Sequence, residues 1–246
     1  MVNDVDPVMF VDILPRCKQL VSLEISLPSG GFIGFSTGLS ILLPTLRSLE
    51  VTCYSVADNI LRCITTPLLE RLSIRYYNRD LDGLVLDIVM FQQRSSTTLS
   101  SLVFYPSILG NRGHDLTEKV VAVLSLFPTI RSLEIHPPFD VNSLMQAMTC
   151  TEGYHILSNL QELAMDGYPN YYHAKNKDCR LSGSRFKSMV LSRWWLDGGG
   201  STPFRNGLFC LQKVTLRGFQ VNDSAADITH VSALSGLVLD YTPVEG

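Results

Sequence analysis

Apolar residues recur along the chain in a short phrase of the form L-x-x-L-x-L, in which other apolar residues can replace leucine. Two copies are nearly identical, PTLRSLEV from Pro44 to Val51 and PTIRSLEI from Pro128 to Ile135. Eight copies begin at residues 20, 46, 69, 99, 130, 160, 211 and 234. Because side chains alternate between the two faces of a strand, the phrase predicts short strands with one apolar and one polar face.

Segments with helical periodicity lie between these strands. The pattern predicts helices over 55–64, over 82–93 and in the residues that follow three start signals. The first signal is Asp115 with Glu118, a pair that resembles a capping box. The other two are Asp140 and the pair of Ser224 and Asp227. Asp6-Pro7 predicts a further start near the amino terminus. Strand and helix therefore alternate, which is typical of an α/β protein.

The spacing of the phrase indicates the architecture. Most copies are 23 to 31 residues apart, close to the period of about 20 to 29 residues of leucine-rich repeats. We therefore predict one α/β leucine-rich-repeat solenoid over 1–246, with about eight irregular repeats, a curved parallel sheet on the concave side and helices on the convex side. Residues 1–16 are predicted to be an N-terminal capping helix.

One gap, of 51 residues, is too long for a single repeat. Residues 186–191 within it fit either a helix or a ninth, degenerate strand, and the i, i+3, i+4, i+8 spacing of Phe186, Met189, Val190 and Trp194 favours the helix. Loop insertions are then expected at 166–184 and 197–207. Trp194 and Trp195 are expected to pack against the helix layer rather than to contact a ligand.

The polar residues of the strands are the best candidates for a binding surface. If the leucines face a core, the residues between them face the concave side. Aromatic residues and arginine on such a surface are favoured at protein interfaces. The candidate partner-binding residues of the concave face are Arg71, Arg75, Tyr105, Glu134, His136, Asp166 and Arg217.

A second candidate surface is the aromatic stretch of the first insertion. It contains Tyr168, Tyr171, Tyr172 and His173. Loops on a rigid scaffold often carry recognition residues. An excursion of the chain without any partner is an equally good interpretation.

Composition excludes several classes of function. The chain has 20 Lys and Arg against 23 Asp and Glu, a formal charge of -3, so we expect neither a nucleic-acid partner nor a membrane partner. The residues contain no recognisable signal peptide and no apolar stretch long enough to cross a bilayer. The six cysteines form no CxxC pair, which favours free thiols. A cytoplasmic or nuclear location is the expectation.

No pattern in the sequence points to catalysis, a metal or a cofactor. Residues 34–38 match the G-x-S-x-G phrase of hydrolases, with Ser36 as the nucleophile. That turn requires preceding parallel strands, for which the residues before it leave no room. The five histidines never share a helix face at i, i+4 spacing. We expect a non-enzymatic protein, and a serine hydrolase using Ser36 is the least favoured alternative.

Several stretches resemble a known family. LPTLRSLEV, TPLLERLSI, FPTIRSLEI, LSNLQELAM and above all MVLSRWW followed by CLQKVTLRG resemble the leucine-rich-repeat region of F-box proteins of mushroom-forming fungi. In that family a helix ending in Ser-Arg-Trp precedes a strand, and Ser192, Arg193 and Trp194 match this element.

The resemblance implies the substrate-binding part of a ubiquitin ligase receptor. Its expected partner is a protein held in the concave face. The adaptor of a cullin-RING ligase is expected as a partner only if an F-box exists upstream, since residues 1–16 contain no recognisable one. The alternative is a free-standing leucine-rich-repeat scaffold or inhibitor unconnected to ubiquitin.

Overall fold

The computed structural model describes the fold of most of the chain. The described residues are 12–26, 40–54, 60–77, 81–106, 113–136, 139–151, 155–167, 180–194, 204–205, 208–222 and 225–243. They belong to two compact units, Met1–Asn111 and Arg112–Gly246. Each unit is of mixed α/β type and contains a parallel sheet.

The sheet of the first unit consists of four of the predicted strands. They are β1 (Ser22–Ser26), β3 (Ser48–Cys53), β5 (Arg71–Tyr76) and β6 (Ser101–Pro106), which pair side by side and in parallel. Leu23 lies beside Leu49, Leu49 beside Leu72, and Leu72 beside Leu102. Corresponding positions of the phrase therefore meet in register from strand to strand, as expected if each repeat contributes the same strand.

Shorter elements connect these strands. Strands β2 (Ile41–Leu42) and β4 (Ile64–Thr65) pair in parallel, and 3-10 turns cover Leu14–Arg16 and Ile60–Arg62. The predicted helix over 55–64 is wrong in its second half, because Ile60–Arg62 forms a single 3-10 turn and the chain then enters β4. The helix predicted over 82–93 is confirmed as α1 (Leu81–Ser95), whose Leu84, Ile88 and Phe91 are fully buried.

The second unit repeats the arrangement. Its parallel sheet contains β7 (Ser132–Ile135), β8 (Glu162–Asp166), β12 (Lys213–Val221) and β13 (Val238–Pro243) in that order. The short strand β9 (Arg180–Leu181) pairs with the far end of β12, and β10 (Phe204–Arg205) forms an antiparallel pair with β11 (Leu208–Phe209). Leu133, Leu163 and Val214 again lie in one register.

Helices alternate with the strands of this unit. Its described residues include α2 (Gly113–Ser125), α3 (Val141–Met148), α4 (Gly183–Arg193) and α5 (Ala225–Ser232). The prediction for Asp140 is confirmed, since its carboxylate accepts a hydrogen bond from the backbone N–H of Asn142 at 3.0 Å and caps α3. The capping-box prediction is wrong, because α2 begins two residues before Asp115. Ser224 lies outside the described residues.

The last repeat departs from the predicted phase. The phrase beginning at Leu234 would place Leu237 beside Val214, whereas the structure places Leu239 there. Leu237 is nevertheless buried, while Leu239 is only partly covered and Val238 is exposed. The short turn at Gly236, which has a φ of 81°, brings the chain into β13 two residues out of phase. Asp240 therefore lies beside Thr215 and not beside Arg217.

The long gap contains a helix, as the spacing favours. Residues 186–191 lie within α4, where Phe186, Met189 and Val190 are fully buried. The first predicted insertion is shorter than 166–184, because Asp166 ends β8, β9 begins at Arg180 and α4 begins at Gly183. The second, 197–207, contains β10; residues 197–203 and 206–207 lie outside the described residues, as do residues 1–11 of the predicted capping helix.

The end of α4 binds two neighbouring segments of the second unit. Arg193 is fully buried, and its guanidinium donates to the carbonyl oxygens of Met148 at 2.8 Å, Leu157 at 2.9 Å and Ile156 at 2.5 Å. Ser192 Oγ accepts from the backbone N–H of Cys150 at 3.0 Å. Arg193 thus satisfies carbonyls at the end of α3 and in the following loop, including that of Leu157, which has a φ of 54°.

Candidate protein-recognition surface

The seven strand residues predicted to bind a partner fall into two groups. Arg71, Arg75 and Tyr105 lie in the first unit, and Glu134, His136, Asp166 and Arg217 lie in the second, all on the face of their sheet opposite the buried leucines. The loop candidates Tyr168, Tyr171, Tyr172 and His173 lie outside the described residues.

Arg75 and Tyr105 are neighbours on the first sheet. They occupy the same register position in β5 and β6, with Thr52 of β3 on the other side of Arg75. Arg75 Nη2 lies 3.0 Å from Glu50 Oε1 on β3. About half of the Arg75 side chain is exposed, so the pair contributes no more than about 1 kcal/mol to stability. The pair holds the Arg75 guanidinium towards β3.

Three tyrosines form a row at the carboxyl end of these strands. The rings of Tyr54 and Tyr77 stack with their centroids 5.0 Å apart and an interplanar angle of 15°. Tyr77 and Tyr105 are tilted by 44° at 6.1 Å. Each such aromatic pair stabilises the arrangement by about 0.5–1.5 kcal/mol beyond the burial of area. We call Tyr54, Tyr77 and Tyr105 the tyrosine row.

Sequence reasoning identified Tyr105 and missed the other two. Tyr54 and Tyr77 directly follow β3 and β5. Each lies two residues after a residue of the polar face, Thr52 or Arg75. Counting the two-residue alternation past the end of the phrase would have placed both on the polar face. Tyr54 is exposed and Tyr77 is half-buried, so the row presents apolar ring surface together with hydroxyl groups.

The ionisation of Tyr77 reflects this position. Burial raises the pKa of the Tyr77 phenol above its usual value of 10.0, the neighbouring Tyr54 raises the pKa further and Arg75 lowers it. Tyr77 therefore keeps its proton at neutral pH and can donate a hydrogen bond. The charge beside Tyr77 comes from Arg75 and Glu50.

Arg71 stands at the amino end of the same sheet face. Ser48 and Ser101 lie beside it on β3 and β6, and Ser73 is the next residue of β5 on this face. The Arg71 side chain is exposed, and no carboxylate of the described residues lies within ion-pair distance of it. Arg71 is therefore a cation surrounded by hydroxyl groups.

The candidates of the second unit are mostly engaged with one another. His136 Nε2 lies 3.0 Å from Glu134 Oε1, and Arg217 Nη2 lies 3.9 Å from Asp240 Oδ2. Asp166 is beside Arg217 in the register. Thr215, expected on the polar face, is almost completely buried. Gly218, with a φ of 72°, lies at a bulge after Arg217 that lets β12 continue to Val221 and pair with β9.

Trp194 follows Arg193 at the end of α4. Its indole N–H donates to the carbonyl of Ser235 at 3.2 Å, in the turn between α5 and β13. Trp195 and Ser36 lie outside the described residues.

One described thiol, that of Cys63, ionises only at high pH. Cys63 is buried, and this burial raises the pKa of its thiol from 9.0 to about 12 although Arg94 acts in the opposite direction. A thiol with so high a pKa is a poor nucleophile at neutral pH. The described residues contain no group of three or more His, Cys, Asp or Glu side chains placed to hold a metal ion. None of their helices is both long and apolar enough for a membrane crossing.

No protein-family model, curated protein or solved structure matches this chain. Its function must therefore be argued from the surface described above.

Proposed function

We propose that this chain is a leucine-rich-repeat solenoid that recognises another protein without catalysing a reaction. The observation that carries the proposal is the tyrosine row with Arg75 beside it. Tyrosine and arginine are among the residues most enriched in the hot spots of protein interfaces. Tyrosine also contributes a large contact area at a small cost in conformational entropy, because its side chain has few rotatable bonds.

The solenoid part of the proposal is supported by the strand register. In every described pairing of the main strands except the last, equivalent positions of the phrase lie side by side. A chain built from stacked copies of one unit has this property, because each copy buries its leucines against the next. The same stacking brings side chains that are far apart in sequence, such as Tyr54 and Tyr105, into one surface.

The sheet position of the tyrosine row favours a protein partner. The three rings contact one another across three neighbouring strands, and such an aromatic surface on a sheet suits an extended chain or an exposed loop. Two such aromatic contacts, each worth more than about 1 kcal/mol, correspond to a loss of roughly thirtyfold or more in affinity when both are removed.

Photo-crosslinking tests the proposal. The full chain carrying p-benzoylphenylalanine in place of Tyr77 is expressed in the cells from which the gene derives and irradiated. We expect a discrete protein adduct, which weakens strongly when Tyr54→Ala and Tyr105→Ala are added. The control carries the same group in place of Leu191, which is exposed on α4. An identical adduct from both positions, or none from position 77, would refute recognition by this surface.

The link to ubiquitin rests on the resemblance of Ser192, Arg193 and Trp194 to the fungal F-box proteins. We propose that the partner of the tyrosine row is a substrate presented to a ubiquitin ligase. Binding of the complete gene product to the purified adaptor of a cullin-RING ligase tests this part by itself. If the adaptor does not bind while the crosslink forms, the chain is a free-standing scaffold or inhibitor.

A further inference from the structure

The proposed recognition surface contains one cation that the described part of the protein does not neutralise. Among the described residues near it, Arg47 is paired with Glu70 and Arg75 with Glu50. Arg71 is exposed and has no such partner there. The Arg71 guanidinium is thus available for an anion from outside.

The surroundings of Arg71 suit an oxyanion. Ser48 and Ser101 are its direct neighbours on β3 and β6, at a strand spacing of about 4.8 Å. Serine hydroxyls can donate hydrogen bonds to the same group that a guanidinium binds. A carboxylate above Arg71 could therefore receive two bonds from the guanidinium and one from a hydroxyl, which is the geometry that favours arginine over lysine.

The described acidic residue of this sheet face that is not paired with an arginine does not cancel the charge of Arg71. Glu24 lies on β1, beside Glu50. It is two strands away from Arg71 and two residues further along the strand direction, which is about 12 Å. That distance exceeds the Debye length of about 8 Å at physiological ionic strength, so solvent largely screens the two charges from each other.

We propose that Arg71, with Ser48 and Ser101, binds an Asp or Glu carboxylate in an extended segment of the partner protein. This inference rests on the proposed function and names the chemistry of the partner. Arg71 begins β5 and Tyr77 directly follows it, so the two residues are about 20 Å apart along the strand direction. An extended segment running along β5 would therefore place an acidic residue on Arg71 and an apolar residue about six positions away on the tyrosine row.

Synthetic peptides test the assignment without knowledge of the natural partner. The probe is an array of 12-residue peptides in a Gly/Ser background, each with one Glu and one Phe six positions apart in either order. Matched peptides carry Gln, Lys or phosphoserine in place of Glu. The full chain is applied as wild type, as Arg71→Gln and as Arg185→Gln, a matched control on the exposed face of α4. Circular dichroism verifies that all three are folded, as expected for exposed substitutions.

We expect the wild type and Arg185→Gln to bind the Glu peptides roughly tenfold more tightly than the Gln peptides. Arg71→Gln should abolish this preference. Equal binding of Gln or Lys peptides, an unchanged preference in Arg71→Gln, or binding of phosphoserine peptides alone would each overturn the carboxylate assignment. Absence of all peptide binding would overturn it as well, whereas a crosslink from position 77 would still support recognition by the tyrosine row.

Discussion

The buried guanidinium of Arg193 provides a sharp test of how the second unit is held together. The substitution Arg193→Met keeps a long apolar side chain and removes every donor. It leaves the carbonyl oxygens of Met148, Ile156 and Leu157 without the bonds that they accept from Arg193. Two of these residues are consecutive and one ends α3, so the change affects the connection between α3 and the strand that comes next.

The expected magnitude follows from two opposing contributions. Hydrogen bonds from a charged donor contribute about 1.5–3 kcal/mol each, so three of them amount to roughly 5–9 kcal/mol. Removing the arginine also removes the cost of burying a charge, which is several kcal/mol. Burial lowers the pKa of Arg193, which is the sign expected of that cost. We therefore expect Arg193→Met to reduce the free energy of unfolding by about 2–4 kcal/mol.

Urea denaturation combined with hydrogen exchange measures the loss of stability that Arg193→Met causes in the second unit. The unfolding midpoint of the second unit should fall, and backbone amides of residues 148–157 should exchange faster. The amide of Cys150 is a specific reporter, because it donates to Ser192 Oγ on the residue next to Arg193. Exchange in the first unit is the internal reference.

The matched control is Arg185→Met, which removes an exposed arginine from the same helix. This substitution should change the free energy of unfolding by less than about 0.5 kcal/mol. If Arg193→Met unfolded at the same urea concentration as the wild type, with unchanged exchange at residues 148–157, the guanidinium would not be holding this connection.

Three further predictions concern the core, a helix start and the response to alkali. Leu133→Asp should prevent folding of the second unit, because no group of the leucine core can satisfy a buried carboxylate; a cooperative transition like that of the wild type would show that the phase of the repeat is wrong. Asp140→Ala should lower the free energy of unfolding by about 1 kcal/mol through loss of the cap of α3, and in urea titration the control Asp140→Asn, which keeps a capping oxygen, should stay close to the wild type. Because the pKa of Cys63 is higher in the folded state, stability from its thiol is complete below pH 9.0 and is lost as the pH rises towards about 12. Between pH 9.0 and about 12, the free energy of unfolding of the wild type should therefore fall more steeply with pH than that of Cys63→Ala. Equal slopes for the two proteins would show that the thiol is not protected by burial.

The alternation of apolar and polar residues was sufficient to predict seven of the eight main strands in their observed phase. A strand with one buried face needs an apolar residue at every second position, and that requirement is visible in any stretch such as RSLEV or RSLEI. The helix over 186–191 was predictable for the same reason, since Phe186, Met189 and Val190 mark one face of a 3.6-residue period. The cap at Asp140 was also predictable, because it depends only on residues that are close together in the sequence.

Features that depend on contacts distant in sequence were not predictable. The tyrosine row exists because parallel pairing places Tyr54, Tyr77 and Tyr105 next to one another, although each residue alone follows or ends an ordinary strand. The shifted phase of β13 depends on a turn at Gly236, and the role of Arg193 depends on carbonyls 36 to 45 residues earlier in the chain. Periodicity records which side of an element is buried. Periodicity does not reveal which residue from a distant part of the sequence contacts that side. Those contacts are determined by the pairing of strands and the packing of helices.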